Sequence, residues 1–588
     1  MKRRTGASLI VDALRQENVQ CVFGLPGTQT LELFEELRQK GLRTVIATNE
    51  LSAAFMAGGW ARVTGETGVL LTIPGPGFTW ALTGVAEARL DSVPLLHLAG
   101  APTDFPAGRR FRQQELDQAA IAGPLVKEVI EADRRLDPGA AVLDGLRLAR
   151  SGEPGPVVLH VSSTTLSREY DCSPPSTARA SIVDAGALAS VRARVSAARR
   201  PILYVGQGTV RYARQLCALI EQVKAPLLTT PSARGVLPED HPFNFGFDPF
   251  AQNTRDVNQL VESSDLILAI GCKLAHSGTS GFELRLPAER LVHVDASKEV
   301  IGANYPVSLG VVADAGDLLD LLLASAPPPS AWTGEELGTW HTRLATRPAV
   351  SLEPRIAGTK AGDARAFFES LRNALPADSV LVLDSGLHQV LARRYYTVLA
   401  PHGLITPTNL QSMGFAIPTA IGAKLALPNR SVVALLGDGG FAMTALELLS
   451  AVREGIALVV IVFVDGAFGQ IRMQQLERYG ASHGVALMSP DLGLLAAAVG
   501  ARHELITDDN LEVVVRTALA EKRVTVIEVP VGDTFGIRRT AAVARTREAT
   551  RRAAGPRLFG MVAKLLRRAR QISSRPASKL SKLEDRRS

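Results

Sequence analysis

Apolar residues along this chain gather into short runs that are hydrophobic at almost every position, separated by stretches whose apolar residues recur at helical spacing. Runs at 44–47, 68–73, 95–99, 156–161, Leu266–Ile270, 432–436, 457–464 and 525–529 have the length of strands. They lack the strict alternation of a half-exposed sheet, which predicts strands buried on both faces. Between them, residues 7–17, 29–40, 364–374 and 441–454 carry helical patterns. Such strand–helix alternation predicts parallel sheets with helices on both faces. Turn-rich stretches divide the chain into three α/β blocks, at 1–170, 183–325 and 361–540. The linker at 162–181 contains Pro174-Pro175, and the one at 325–332 reads SAPPPSAW.

An internal repeat crosses this pattern. GVLLTIPGPGFTWALTGVAEA in the first block and SVVALLGDGGFAMTALELLSA in the third each run from an apolar strand through a tight glycine turn to a Phe and a helix. The first and third blocks are therefore expected to share a fold. Only the second copy puts an aspartate, Asp438, in the turn.

Composition narrows the class. With 46% hydrophobic and 21% charged residues the chain reads as globular. Its 588 residues call for about two to four domains. No apolar run reaches the ~18 residues of a membrane helix. The opening MKRRTGASLIVDAL has neither a long apolar segment nor a small-residue cleavage site. Cys21, Cys172, Cys217 and Cys272 fit no metal or disulfide spacing, so a reduced, cytoplasmic setting is expected. The net charge of +7 hides an asymmetry: residues 541–588 hold 14 Lys/Arg against 3 Asp/Glu, a net of +11, which leaves −4 for the rest. A mildly acidic body argues against nucleic acid as a partner.

The carboxylate in the glycine turn carries the chemistry. A strand–glycine–helix turn suits phosphate, because free N–H groups and the helix dipole face the ligand. Asp438 would repel that anion unless a cation lay between them. Parallel strands at 432–436 and 457–464 would end on one edge and bring Asp438 close to Asp465. Taken singly, Asp438 reads as a helix cap and Asp465 as a turn residue. Together they suggest a hard divalent cation: Mg²⁺ bridges one or two carboxylates to phosphate at about 2.0–2.1 Å. A dinucleotide site is a poorer match, since Gly437-Asp438-Gly439-Gly440 is not G-x-G-x-x-G.

GDGGFAMTALELLSAVREGI followed by VVIVFVDGAFG resembles the thiamine-diphosphate motif, Gly-Asp-Gly and then, roughly 25–30 residues later, Asn-Asn or Asn-Asp with magnesium between them. The resemblance covers most of the chain up to the basic tail. TNELSAAFMAGGWARVTGETGVLLTIPGPGFTWALTGVAEARLDSVPLL is similar to the pyrimidine-binding domain of the acetolactate synthase large-subunit family. SGLHQ and SMGFAIPTAIGAKLA resemble its diphosphate-binding domain, and RPILYVGQG and IGANYPV its middle domain. The implied fold is α/β, with three doubly wound parallel-sheet domains: pyrimidine-binding (1–170), middle (183–325) and diphosphate/Mg-binding (361–540), followed by the tail at 541–588.

The resemblance implies roles for particular residues. Asp438, Asp465 and the carbonyl of Ala467 would bind Mg²⁺. Gly386, His388, Gly437, Gly439 and Gly440 would hold the diphosphate. Met413 would wedge the cofactor into a bent shape, with backbone at Gln411 and Met413 on the aminopyrimidine. Glu50 resembles the catalytic glutamate that shares a proton with the pyrimidine, a task for which burial can tune a carboxylate. Read alone, Glu50 is also a first-turn helix acid. Gln114 resembles the glutamine of a Phe-Gln-Glu segment, although Phe111-Arg112-Gln113-Gln114-Glu115 displaces the Phe. In the family one cofactor is served by two subunits, which implies a homodimer or homotetramer.

Four positions depart from the family. Val464 replaces the motif's first Asn, and Thr48-Asn49 replaces the Arg-His before the glutamate. Ala275-His276-Ser277 stands where synthases carry Asp-Asp-Arg, and Gln475 where they carry a Trp. The cofactor machinery is kept while the acceptor site differs. The expected activity is a thiamine-diphosphate-dependent C–C lyase or carboligase acting on a 2-oxo acid, best named acetolactate synthase. The alternatives are a 2-oxo acid decarboxylase or 2-hydroxyacyl-type lyase and, further off, a non-catalytic binding protein of the same fold. FAD is left open, since some relatives hold it in the middle domain. In the tail, Leu558, Val562, Leu565 and Ala569 share one helical face among basic residues, a pattern suited to a membrane surface or a partner and equally to a solvated extension.

Overall fold

The computed structural model describes residues 4–101, 113–132, 137–170, 185–345, 354–507 and 509–534. The tail expectation lies outside them. Three large sheets flanked by helices organise the described chain, and Arg4–Thr5 pairs antiparallel with Glu169–Tyr170 in a small fourth one.

The first sheet contains β1 (Cys21–Gly24), β2 (Arg43–Ile46), β3 (Gly68–Thr72), β4 (Leu95–Ala101), β5 (Glu128–Glu131) and β6 (Pro156–Ser162). All pair in parallel, in the order β2-β1-β3-β4-β6-β5. The middle sheet contains β7 (Pro201–Val205), β8 (Leu227–Thr229), β9 (Leu266–Ile270), β10 (Leu291–Asp295) and β11 (Leu309–Val312), parallel in the order β8-β7-β9-β10-β11. The third contains β12 (Pro354–Ile356), β13 (Val380–Leu383), β14 (Leu404–Ile405), β15 (Val432–Gly437), β16 (Val459–Val464), β17 (Arg502–Leu505) and β18 (Thr525–Thr534). Its parallel strands run β14-β13-β15-β16-β18-β17, and β12 joins β18 antiparallel.

The strand order of the first sheet thus recurs in the third, and the two copies of the sequence repeat fall on equivalent strands, β3 and β15. Central strands such as β3, β9 and β15 are buried at nearly every position, as continuous apolar runs require in a sheet covered on both faces.

The two repeat units share a core. Helices α1 (Glu50–Thr64) and α2 (Pro76–Leu90) belong to the first sheet, α3 (Leu387–Tyr395), α4 (Ala416–Ala426) and α5 (Asp438–Thr444) to the third. Helix α1 is rich in Ala and Gly and buried almost all round, because α4 crosses it at backbone contact. A Cβ on Gly59 would stand 2.2 Å from the Thr419 carbonyl oxygen, and one on Gly422 2.0 Å from that of Met56. Only glycine permits that approach.

The helix expected at 441–454 differs. It begins at Asp438, breaks after Thr444 into a 3₁₀ turn at Ala445–Glu447, and resumes at Leu448–Arg453. The tighter turn carries the Glu447 carboxylate inward onto Thr48 of the first unit.

Candidate functional site

In each repeat unit the candidate residues sit at the carboxyl edge of the sheet, beside the point where strand order reverses, between β1 and β3 or β13 and β15. Open α/β sheets bind ligands in that crevice.

In the third unit β15 and β16 pair with Gly437 opposite Phe463, so Asp438 and Asp465 follow the ends of neighbouring strands. Asp438 is 2% exposed. Its Oδ1 accepts the N–H of Gly439 (2.9 Å); its Oδ2 accepts the N–H of Gly466 (2.9 Å) and the hydroxyl of Ser489 (2.5 Å). The Asp465 Oδ1 accepts the N–H of Ala467 (3.1 Å). Burial and the Asp438 carboxylate push the Asp465 carboxyl up to about 6. Two carboxylates held this close disfavour each other's charge, which a cation would relieve.

Glycines make room around the pair. A Cβ on Gly440 would meet the Asp384 carboxylate at 3.2 Å, one on Gly439 the Phe468 ring at 3.1 Å, and one on Gly469 the Asp465 Oδ2 at 2.2 Å. Gly386, at φ 150°, turns the chain from β13 into α3 and lies against the His388 ring. His388 is 4% exposed, and burial pushes it down to about 4, so it is neutral. Its Nδ1 lies 3.5 Å from a Cβ position on Gly437, and its buried Nε2 has no hydrogen-bond partner among the described residues.

Asp384 ties this cradle to the segment before α4. Its carboxylate accepts the N–H groups of Ser385 (2.8 Å), Gly414 (3.1 Å) and Ala416 (2.9 Å), yet complete burial still pushes it up to about 7. Gln411 at φ 61° and Gly414 at φ 75° bracket Met413 with left-handed backbone. The first unit grips the same segment from outside: Glu87 Oε2 accepts the N–H (3.1 Å) and hydroxyl (2.7 Å) of Ser412, and Asp91 accepts the N–H groups of Thr408 and Asn409 (3.2 Å each).

The structure thus brings Gly386, His388, Gln411, Met413, Gly437, Asp438, Gly439, Gly440, Asp465 and Ala467 to one edge. Glu50 and Gln114 are gathered separately, around the turn before α2 in the first unit. A Cβ on Gly77 would stand 2.8 Å from the Glu50 Oε1, and one on Gly75 2.9 Å from the Gln114 Cβ. Gln114 also accepts a hydrogen bond from Gln29 (2.7 Å). Among the described residues no hydrogen bond joins Glu50 to the cradle of Asp438.

Three participants escaped the sequence reading. Asp384 repeats the strand–Asp–Gly signal of Asp438 and was open to it. Gly466 lies beside Asp465, but its donation to Asp438 depends on strand pairing. Ser489 has no local signal: it arrives because Phe468 and Leu487 donate across to Val485 and Gly466, folding a distant loop onto the acid turn.

These donors fit a magnesium–diphosphate group. Among the described residues no three His, Cys, Asp or Glu side chains cluster as metal ligands, so further ligands would be carbonyl, water or phosphate oxygens, a set that suits Mg²⁺. The orphaned His388 Nε2 and the glycine-lined turn offer hydrogen-bonding capacity to a phosphate.

The chain matches three descriptions of one sequence family, thiamine pyrophosphate enzyme: the N-terminal TPP binding domain over residues 4–121, the central domain over 188–322 and the C-terminal TPP binding domain over 384–529. It is 31% identical over 542 residues to a probable 2-ketoarginine decarboxylase of Pseudomonas aeruginosa, spanning 90% of this chain and 94% of that protein. It is 30% identical over 486 residues to the acetolactate synthase isozyme 1 large subunit of Escherichia coli, spanning 81% and 84%. It is also 30% identical over 521 residues to an acetolactate synthase of Mycobacterium bovis, spanning 85% and 83%.

Proposed function

The chain belongs to the thiamine pyrophosphate enzyme family, and we propose that it uses thiamine diphosphate (the same cofactor) with Mg²⁺ to cleave the carbon–carbon bond beside the carbonyl of a 2-oxo acid, releasing CO₂. The observation that carries this reading is the acid pair at the ends of β15 and β16, set beside a glycine turn and a buried histidine whose Nε2 has no hydrogen-bond partner among the described residues. When bound, the cofactor supplies a carbon nucleophile and an electron sink for breaking a bond next to a carbonyl.

The chain's own residues do the rest. Asp438, Asp465 and the Ala467 carbonyl would hold Mg²⁺, while Gly439 and Gly440 would leave space for the diphosphate and His388 Nε2 would be free to hydrogen-bond to it. Met413, fixed between two left-handed residues, shapes the cofactor, with backbone at Gln411 beside it. Glu50 would exchange a proton with the aminopyrimidine, and Gln114 stands at the same turn before α2 as Glu50. Among the described residues no hydrogen bond joins Glu50 to the cradle within one chain, which supports a site completed by a second copy. Helix α5 and its continuation support this too: Met443, Leu446, Leu449 and Val452, three residues apart, leave an apolar stripe exposed on the way out of the cradle. We therefore propose a homodimer, alone or paired into a tetramer.

Decarboxylation without carboligation is favoured by what occupies the two positions where synthases carry Arg and Trp. Ser277 donates to Asn409 (3.3 Å), and Gln475 is paired in both directions with the backbone of His483 (3.2 and 2.9 Å). Acetolactate synthesis is the second reading, favoured by the similarity to the Escherichia coli and Mycobacterium bovis proteins. Full-length protein with thiamine diphosphate and Mg²⁺ should be given pyruvate and, separately, 2-ketoarginine, with CO₂ and acetolactate quantified. CO₂ without acetolactate establishes the decarboxylase, and acetolactate establishes the synthase. No CO₂ from either acid, with cofactor binding verified, overturns the reading for these substrates.

A further inference from the structure

We propose that Glu447 is a positioning residue for Glu50, acting through Thr48. The inference rests on the reading of Glu50 given above.

Glu447 is 0% exposed, in the 3₁₀ turn that interrupts the helix after the cradle. Among the described residues its side-chain hydrogen bonds run to a single residue of the first unit. The Thr48 N–H donates to Oε1 (3.1 Å) and Oε2 (3.2 Å), and the Thr48 hydroxyl donates to Oε2 (2.5 Å). Two neighbours on the same helical run grip the residue before that segment's end: Ser450 Oγ donates to the Ile46 carbonyl (3.1 Å), and so does the Arg453 guanidinium. The stretch from β2 to α1 is therefore clamped by the third unit, not by its own sheet alone.

Little slack separates the clamp from Glu50. Asn49 is extended, at φ −157° and ψ 163°, and its side chain caps α1 by accepting the Ser52 N–H (2.8 Å). Glu50 is the first residue of α1, so a displacement at Thr48 passes through one capped residue to the carboxylate. Among the described residues no hydrogen bond holds the Glu50 carboxylate itself, so its placement depends on its backbone and on the wall formed by Ile73 and Gly77. A fully buried carboxylate is costly unless its hydrogen bonds are good, and charge-assisted bonds are the short, directional ones. Glu447 spends all three on the segment that aims Glu50. The departure at Thr48 thereby acquires a purpose: a hydroxyl donor two residues before the glutamate.

The test reads the proton transfer rather than turnover. Full-length protein saturated with thiamine diphosphate and Mg²⁺ is mixed with D₂O, quenched in acid, and deuterium at the thiazolium C2 position is followed by NMR. Cofactor Kd and Tm are measured in parallel. Thr48→Val removes the hydroxyl donor while keeping the N–H and the side-chain shape. Thr48→Val and Glu447→Gln should slow exchange about 10- to 100-fold, the scale of a misplacement of about 1 Å, with cofactor Kd unchanged. Thr48→Ser should exchange at the parent rate. Glu50→Gln serves as the reference for loss of the proton carrier. Parent-rate exchange in Thr48→Val while Glu50→Gln is slow would overturn the inference and leave Glu50 in its role, as would a change confined to Kd or Tm. Parent-rate exchange in Glu50→Gln removes the reading of Glu50 and the inference with it. Should Glu447→Gln fail to fold, Thr48→Val decides.

Discussion

Replacing Asp465 by Asn should stabilise the cofactor-free protein while abolishing its use of Mg²⁺. The Asp465 carboxyl is pushed from 3.8 up to about 6, first by burial and then by the Asp438 carboxylate. In the metal-free fold it therefore binds its proton more tightly than in the unfolded chain. Its contribution to stability is fully present below 3.8 and is lost as pH rises through about 6. A rise of about two pKa units at about 1.36 kcal/mol each sets a ceiling near 3 kcal/mol. Asp465 is only half-buried, and solvent screening reduces the expected penalty to about 1 kcal/mol near neutral pH. Asn keeps the size, and its carbonyl oxygen can still accept the Ala467 N–H. Calorimetry on dialysed protein should then show Tm higher by roughly 1 °C in Asp465→Asn near neutral pH. The difference should shrink as pH falls and vanish below 3.8, where Asp465 is protonated in the folded and the unfolded chain alike. In the same samples, Mg²⁺-dependent binding of thiamine diphosphate, followed by tryptophan fluorescence, should be lost. A Tm at or below that of the parent near neutral pH, or a gain independent of pH, would refute the electrostatic argument. Retained Mg²⁺-dependent binding would refute the metal assignment.

Two further outcomes test the packing and the grip on the Met413 segment. Adjacent glycines in α1 should respond with opposite signs: Gly59→Ala drives a Cβ to 2.2 Å from the Thr419 carbonyl oxygen and should cost about 3 kcal/mol, at the upper end for overpacking. Gly58→Ala meets nothing within 4 Å and should stabilise by about 0.5–1 kcal/mol through helix propensity; equal denaturation midpoints for the two variants would contradict the α1–α4 crossing. Glu87 is pushed from 4.5 up to about 7 by burial and then by Asp91, so its contribution to stability is present below 4.5 and lost as pH rises through about 7. Glu87→Gln should flatten Tm against pH over that window, and an unchanged slope would show that Glu87 is not the titrating group.

The first and third sheets show how one fold carries two different turns. The repeat units share strand order and a strand–glycine–helix turn, but the turn at Gly75–Gly77 is neutral and faces Glu50 and Gln114, whereas the turn at Gly437–Gly440 carries Asp438. A single acidic residue thus separates a turn suited to a metal-bound phosphate from one that walls in a carboxylate. The close crossing of α1 and α4 fixes one unit against the other, and the Glu447–Thr48 contact adds a polar link at the same junction.

Much of this was written locally. Continuous apolar runs specify buried parallel strands because every face of such a strand is covered, so β9 and the helix at Ala364–Ala374 fall at their expected bounds. The glycine turn and its aspartate were legible because a tight strand–glycine–helix turn restricts side chains over a few consecutive residues. The spacing from Asp438 to Asp465 was legible because one strand–helix–strand unit has nearly fixed length. What only the tertiary structure decided are pairings with no sequence period: Ser489 on Asp438 across 51 residues, Glu447 on Thr48 across 399, and Gly422 on the backbone of Met56. The broken helix at Ala445–Glu447 belongs with them, since its residues carry a helical pattern throughout and its inward turn goes with a carboxylate meeting a donor from another unit. Local chemistry selected the elements and the glycine turn that carries Asp438. Long-range packing set where Glu50 stands, because its position depends on contacts made by residues hundreds of positions away.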